Sequence, residues 1–596
     1  MYSLLRLFLG VLVGEKRNVD ISKSVYQPLT CNDTIRVLII EPGALETPIR
    51  CRLAHQRLGE KLPYEALSYV WGPESPAYEI TVNGNVFVIR ENLYHALQQL
   101  RLETRSRMLW VDAISINQKD VPERNHQVQQ MKRIYESANR TLVWLGRPQI
   151  KDQNAAQLLL GAEEANQKDP KIDVVKFITD QLCPIVSSCS MNKALSAFFS
   201  NDWFTRVWII QEFAVASDVR FVYGRTELAS ATVHSAAIAG YSNANNMYYS
   251  LGYTTYQRRK IFRLRDIQRN NLRRYPLASL LYMTFGKVEA SDPRDYIFSL
   301  LGLVEDAERD LVSVDYDASI KTVYIKTMTQ CIIHDPQRTF DLLSLVGYFP
   351  RRRFRKSLPS WVPDFSSPFG SRRSFSNKGD FSASLRSEIG IVVGGKILTI
   401  QGRIVDTTET CLDYPFGTHE EVSPSDWRTW HQRCRDLGTD AGVFYETADF
   451  EEVWWRLLVC DRYFDLSVQK YKTAREGYLT YYLDPEILHQ EYITDQDCTR
   501  RDAEFLDMQK RYSRTKRLTS SDLNFCSTRK GLLGWLPQAA KEGDNICIFA
   551  GANAPFVIRD RRNGTYELLG DAYIHGIMYG EALQWEDSEW KDIKLT

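Results

Sequence analysis

Over the first 150 residues, short β-branched runs alternate with stretches whose apolar residues recur every three or four positions, which restricts this segment to an α/β sheet flanked by helices. Ile35 to Ile40 reads as a strand, and Tyr64 to Trp71 as another, closed by the turn pair Gly72-Pro73. Between Ile80 and Val88 the pair Asn83-Gly84 supplies the two positive-φ positions of a type I′ hairpin. Asn92 then caps a helix with Leu93, Ala96, Leu97 and Leu100 on one face. Met108 to Ile116 is expected as a strand, and Asp120, Pro122 and Glu123 open a helix that buries Val128, Met131, Tyr135 and Ala138. Thr141 to Leu145 closes the series, so the expected sheet is mainly parallel.

Past Gly146 the pattern lengthens. Ala155 to Ala165 and Asn192 to Phe199 read as helices, and Trp203 to Ala216 as an aromatic helix leading into the strand Val219 to Tyr223. At 596 residues one core is not enough, because single cores stop growing at roughly 250 to 300 residues. Four segments are expected: an α/β domain over 1–230, a mostly helical middle region over 231–404, an aromatic and charge-rich helical region over 405–525, and a small antiparallel β module over 526–596. That module has Ile546 to Phe549, Phe556 to Arg559, Tyr566 to Leu569 and Ala572 to Met578 as strands.

Composition removes several functions. With 75 Lys+Arg against 74 Asp+Glu the chain has no basic footprint for nucleic acid. The basic stretch holding Arg258, Arg259, Lys260, Arg263, Arg265, Arg269, Arg273 and Arg274 reads as a solvated face, and Arg351 to Lys356 as a loop. The apolar run Leu7 to Gly14 is far short of a membrane span and reads as part of an amphipathic N-terminal helix. Eleven cysteines, scattered singly without a C-x-x-C pair, fit reduced thiols and a cytoplasmic location. The nine histidines have no paired ligand spacing, so no metal is expected.

Gly390 to Lys396 mimics a phosphate-cradling loop, but Ile397 stands where a magnesium-binding hydroxyl belongs, and the alternating flanks make it a β-hairpin. What remains is a group of polar and aromatic residues at the carboxyl ends of the expected strands, where open α/β sheets bind ligands: Ser68, Trp71, Asp112, Asn117, Gln118 and Arg124. A structural role is equally open to several of them. Trp71 and Trp110 suit a core, Asn117 and Asp120 suit a turn and a cap, and Arg124 suits a local pair with Asp120.

Three blocks carry a more specific signal. Tyr64-Glu-Ala-Leu-Ser-Tyr-Val-Trp-Gly72, then Leu109-Trp-Val-Asp-Ala-Ile-Ser-Ile-Asn-Gln118 with its continuation to Gly146, then Arg206-Val-Trp-Ile-Ile-Gln-Glu212 resemble the fungal heterokaryon incompatibility (HET) domain. Asp292 to Gly302, Leu358 to Asp364 and Gly570 to Gly580 are similar to segments of long HET-domain proteins. The chain departs from the family pattern at Ser115, where Cys is usual, and at Ile209, where Thr is usual.

The resemblance implies a trigger of regulated cell death on recognition of non-self, acting with itself and with other incompatibility-pathway proteins. It also implies a distant similarity to TIR domains, because Leu67-Ser-Tyr69 resembles their first-strand signature and Trp208-Ile-Ile-Gln-Glu212 resembles the helix carrying their catalytic Glu. On that basis Glu212 is the candidate catalytic residue, NAD or NADP the candidate substrate rather than a cofactor, and Ser68, Trp71, Asp112, Arg124, Arg206 and Trp208 the candidate binding residues. Trp208 or Trp71 would stack on a base, Arg206 or Arg124 would hold the pyrophosphate, and Asp112 would bind a ribose hydroxyl. Many TIR domains only assemble, so a non-catalytic scaffold is the competing expectation.

Overall fold

The computed structural model describes residues 25–596 apart from 60–62, 148–152, 183–189, 244–261, 263–264, 266–274, 287, 309, 349–356, 368–373, 377–380, 386, 416–423, 441–449, 466–469, 474–522 and 587–588. The expected N-terminal helix, the loop at Arg351 to Lys356 and the basic stretch other than Arg265 lie outside the described residues. Two compact units divide the chain. One comprises positions up to 245 with 249–272 and 314–317, and the other the remainder to 596.

The first unit holds strands β1 (Thr34–Ile40), β2 (Arg50–Arg57), β3 (Glu65–Tyr69), β4 (Ala77–Val82), β5 (Asn85–Arg90), β6 (Arg107–Trp110), β7 (Arg140–Trp144), β8 (Val219–Tyr223) and β9 (Thr226–Ala229). They form one sheet in the order β5-β4-β2-β1-β6-β3-β7-β8-β9. Its centre, β6-β3-β7-β8, is parallel, but β1 runs antiparallel to both of its neighbours and β4-β5 and β8-β9 are antiparallel hairpins. The sheet is therefore mixed rather than mainly parallel. The β4-β5 hairpin turns at Asn83 and Gly84 with φ of 53° and 79°, the positive pair a type I′ turn requires.

Nine helices are described in this unit: α1 (Glu91–Leu100), α2 (Asp112–Ser115), α3 (Val121–Gln129), α4 (Met131–Ser137), α5 (Gln153–Lys168), α6 (Val174–Thr179), α7 (Ser190–Phe199), α8 (Ile209–Ala214) and α9 (Ser230–Asn243). Leu93, Ala96, Leu97 and Leu100 of α1 pack with Leu67, Tyr69, Leu142 and Trp144 on one face of the sheet. On the other face Ala66 meets α4, and Val143 and Phe221 meet α5, α7, α8 and α9. The strand expected over Met108 to Ile116 stops at Trp110, and the chain turns into α2. The aromatic helix expected over Trp203 to Ala216 is a 3₁₀ turn (Asp202–Thr205) followed by α8. Arg265 is no part of a solvated face: only 4% exposed, it donates to the carbonyls of Phe213 and Ala216 and caps the C-terminal end of α8.

In the second unit α10 (Leu277–Thr284), α11 (Asp295–Phe298), α12 (Ile320–His334) and α13 (Thr339–Ser344) precede the hairpin β10 (Ile391–Gly394) and β11 (Ile397–Leu412). That hairpin turns at Gly395, φ 64°, and is not a phosphate loop. After α14 (Pro424–Asp440), α15 (Phe450–Leu458) and the hairpin β12 (Arg462–Asp465) and β13 (Lys470–Thr473) come β14 (Leu523–Thr528), β15 (Leu533–Pro537), β16 (Asn545–Phe549), β17 (Phe556–Asp560), β18 (Tyr566–Asp571), β19 (Tyr573–Ile574) and β20 (Lys591–Leu595). The sixteen-residue β11 pairs with β14, β16 and β20, so the circuit β16-β17-β18-β20-β11-β16 closes into a barrel. The β module is thus larger than expected and draws its longest strand from upstream of residue 526.

One buried charge ties the first unit together. Arg36, 1% exposed, donates to both Glu123 oxygens at 2.6 and 2.9 Å and to the carbonyls of Ser115 and Gln27. Glu123→Ala strands that guanidinium and is expected to cost about 3 to 5 kcal/mol, whereas replacing both partners by Met and Leu costs far less, near 0 to 1 kcal/mol. Urea denaturation of the two variants beside the parent checks the difference.

Candidate functional site

Parallel strands leave their carboxyl ends, and the loops after them, along one edge of the sheet. The chain exits β3 by way of β4, β5 and α1 toward β6, and exits β7 by way of α5 to α8 toward β8 on the other side. The loops after these two adjacent strands therefore part, which is the topological switch where open α/β sheets form a crevice. Asn92, expected as a helix cap, sits one residue inside α1 and bridges this point: its amide donates to Val70 O at 2.6 Å and accepts from Trp144 Nε1 at 2.9 Å.

Ser68 is paired with Val143 and points to the sheet face that α8 covers. Its hydroxyl donates to Glu212 Oε2 and accepts from Trp203 Nε1 at 2.8 Å. Arg206 reaches the same carboxylate oxygen at 3.4 Å, with 17% of its side chain exposed against 2% for Glu212. On the β6 side, Asp112 Oδ2 accepts from Trp71 Nε1 at 2.8 Å and Oδ1 from the Ala113 amide at 2.7 Å, and the Tyr69 hydroxyl bonds to the same carboxylate. Arg206 and Asp112 are close enough for each to feel the other's charge.

Burial decides the protonation of this group. It pushes the carboxyls of Glu212 and Asp112 upward, outweighing Arg206, which favours both carboxylates. Burial works against the charge of Arg206 as well, yet Glu212 and Asp112 together hold it firmly protonated. The Tyr69 and Tyr135 phenols are driven well above their ordinary value, by burial first and then by the nearby carboxylates. Two carboxyls thus share one guanidinium, and burial shifts both toward holding a proton above the ordinary carboxylate range.

Ser68, Trp71, Asp112, Arg206 and Glu212 converge here, but Trp208 and Arg124 have other partners. Trp208 packs, partly buried, against the Trp110, Met131 and Tyr135 cluster. Arg124 lies 4.1 Å from the ring of Tyr316, and no described bond joins it to Glu212, Asp112 or the side chain of Asp120, which caps α3 through the Glu123 amide. Trp71 is covered by the Arg90 guanidinium at 5.5 Å. Sequence reading passed over Trp203 and the two tyrosines as site residues. Tyr69 and Tyr135 fall within the blocks that resemble the HET domain, whereas Trp203 lies just before the block that begins at Arg206. Among the described residues no group of His, Cys, Asp and Glu could hold a metal ion, and no helix is long and apolar enough to cross a membrane.

Residues 64–212 match the heterokaryon incompatibility protein (HET) family, a span that opens at β3 and ends on Glu212. This stretch of the chain carries a HET domain. Residues 433–592 match the Het-6 beta-barrel domain, in agreement with the closed circuit of strands, although β11 lies before that span. Heterokaryon incompatibility protein 6, OR allele, of Neurospora crassa is 24% identical over 92% of this chain and 94% of its own length. No solved structure matches. Every member of the carboxylate cluster falls inside the HET span.

A raised Glu212 fixes a sign. Above 4.5, the ordinary value, the unfolded chain releases this proton before the folded one does, so the folded state loses stability as pH rises through that window. The stability of the parent relative to Glu212→Gln is therefore expected to fall as pH increases from 4.5 and then level off. Urea midpoints of both proteins between pH 4 and 8 measure it, and a parent that gains on the variant across that range contradicts the assignment.

Proposed function

We propose that this HET-domain protein acts in heterokaryon incompatibility, the fungal response to non-self, and triggers regulated cell death by cleaving NAD or NADP at the carboxylate cluster. The reading rests chiefly on Glu212: an acidic residue with an upward-shifted carboxyl, held by Ser68 and Arg206 at the carboxyl ends of parallel strands. The TIR-like site inferred from Leu67 to Tyr69 and Trp208 to Glu212 is part of this proposal.

Breaking the nicotinamide–ribose bond develops positive charge on the ribose, and a carboxylate beneath the ring stabilises that charge while water takes the place of nicotinamide at the anomeric carbon. In this scheme Glu212 faces the ribose, Asp112 takes a ribose hydroxyl, Trp71 supplies an aromatic surface and Arg206 orients Glu212 or turns toward the pyrophosphate. Arg206, Asp112 and Trp71 are partly exposed and meet the ligand first. Trp208 and Arg124, engaged elsewhere, have no part in it.

One observation favours a second reading, a scaffold that assembles with itself and with pathway partners without chemistry. Glu212 is 1% exposed and already satisfied by a hydroxyl and a guanidinium, the condition of a structural ion pair. The full-length chain separates the two. Under the enzymatic reading purified protein consumes NAD or NADP, Glu212→Gln lowers turnover by at least about 100-fold while the protein stays folded, and toxicity in expressing cells disappears with it. Toxicity that persists in Glu212→Gln with cellular NAD unchanged rejects the enzyme in favour of the scaffold.

A further inference from the structure

Eleven cysteines stand singly along the chain, yet the second unit sets two of them face to face. In the antiparallel pair β11-β14, Cys411 lies directly opposite Cys526, between the pairs Thr410–Ser527 and Leu412–Phe525. Directly opposed residues on antiparallel strands point to the same side of the sheet with Cα atoms roughly 4.5 to 5.5 Å apart, inside the range a disulfide spans. Both side chains fall on the same core, Cys526 within it and Cys411 packed partly buried at its margin. The neighbour of Cys526 on its other flank is Gly534 of β15, which contributes no side chain, so the Cys411 thiol is the side chain beside it along that row. Both thiols are free.

We propose that Cys411 and Cys526 form an oxidation site at which a peroxide joins β11 to β14 through a cross-strand disulfide. The chemistry closes without another reagent. The partly buried Cys411, as thiolate, attacks one peroxide oxygen; the O–O bond breaks, water leaves and a sulfenic acid forms. The Cys526 sulfur then attacks the Cys411 sulfur, a second water leaves and the S–S bond forms, the two sulfurs having given up the two electrons that reduced the peroxide. Burial, then Asp544, Asp413 and Glu542, push the Cys411 thiol up to about 12, and burial raises Cys526 further still. The reactive thiolate is scarce at neutral pH, so the bond accumulates slowly and its rate rises roughly tenfold per pH unit below that value. Once made, it locks together the strand that closes the barrel and the strand that follows the intervening α14, α15 and β12-β13 segment.

The test treats the folded full-length chain with hydrogen peroxide at pH 7 and pH 9, quenches, unfolds it in alkylating reagent and digests it without reductant. The expected product is a linked peptide pair containing Cys411 and Cys526, lighter by two hydrogens than its parts, formed faster at pH 9, lost on reduction and missing from Cys411→Ser. The linked protein should also unfold at higher urea than peroxide-treated Cys411→Ser. Should that variant misfold, the alkylation pattern of the parent before and after peroxide decides alone. Recovery of both thiols alkylated, oxidation of Cys411 without linkage, or linkage only after unfolding overturns the proposal.

Discussion

A single guanidinium, Arg206, faces the buried Glu212 carboxyl and the partly exposed Asp112, and the candidate site exists only because that charge is placed there. Glu212 without it would be a carboxyl in an apolar core between Phe213, Phe221 and Trp203; with it, and with the Ser68 hydroxyl, the group remains ionisable. Burial and attraction pull in opposite directions, and burial wins by enough to lift both carboxyls without discharging the arginine. A site of this kind is costly to fold, and the rest of the first unit supplies what holds it. Arg265 caps the short helix that carries Glu212, Asn92 spans the ends of β3 and β7, and the Arg36–Glu123 pair anchors the elements that follow Asp112.

The sheet explains why the polar groups collect at one edge. Parallel pairing of β6, β3, β7 and β8 brings four carboxyl ends together, and the crossing of the chain over β3 parts the loops there. The antiparallel flanks β1-β2 and β8-β9 extend the hydrophobic faces without adding loops to that edge. The second unit solves a different problem, using one long strand shared by three neighbours to close a barrel that its shorter strands could not complete.

What the sequence disclosed follows the range of the forces involved. The Asn83-Gly84 and Gly394-Gly395 hairpins are local, set by backbone conformations that these residues adopt cheaply, and both are legible. The end of β6 is not, because Ile114 and Ile116 continue the apolar pattern and only packing against the sheet turns 112–115 into a helix. The 405–412 half of β11 falls at the start of the segment expected to be charge-rich and helical, and its strand partners come from more than a hundred residues downstream. Arg265 looked solvated by its charged neighbours, and its burial depends on carbonyls fifty residues earlier. Arg206 and Glu212 become visible only through resemblance to a family, whereas Ser68 also stands out at a strand end. Trp203, which completes their bonding, carries no local mark that separates it from a core tryptophan.

The proposed function requires a dinucleotide to bind across the carboxyl ends of β3 and β6 against α8. Hydrogen exchange of the full-length Glu212→Gln protein, with and without saturating NAD or NADP, tests the location without depending on turnover. The account predicts slowed exchange at Ser68 to Gly72, Asp112 to Ser115 and Arg206 to Phe213, and little change in the barrel. Protection confined to other segments, or none at any nucleotide concentration, would contradict it.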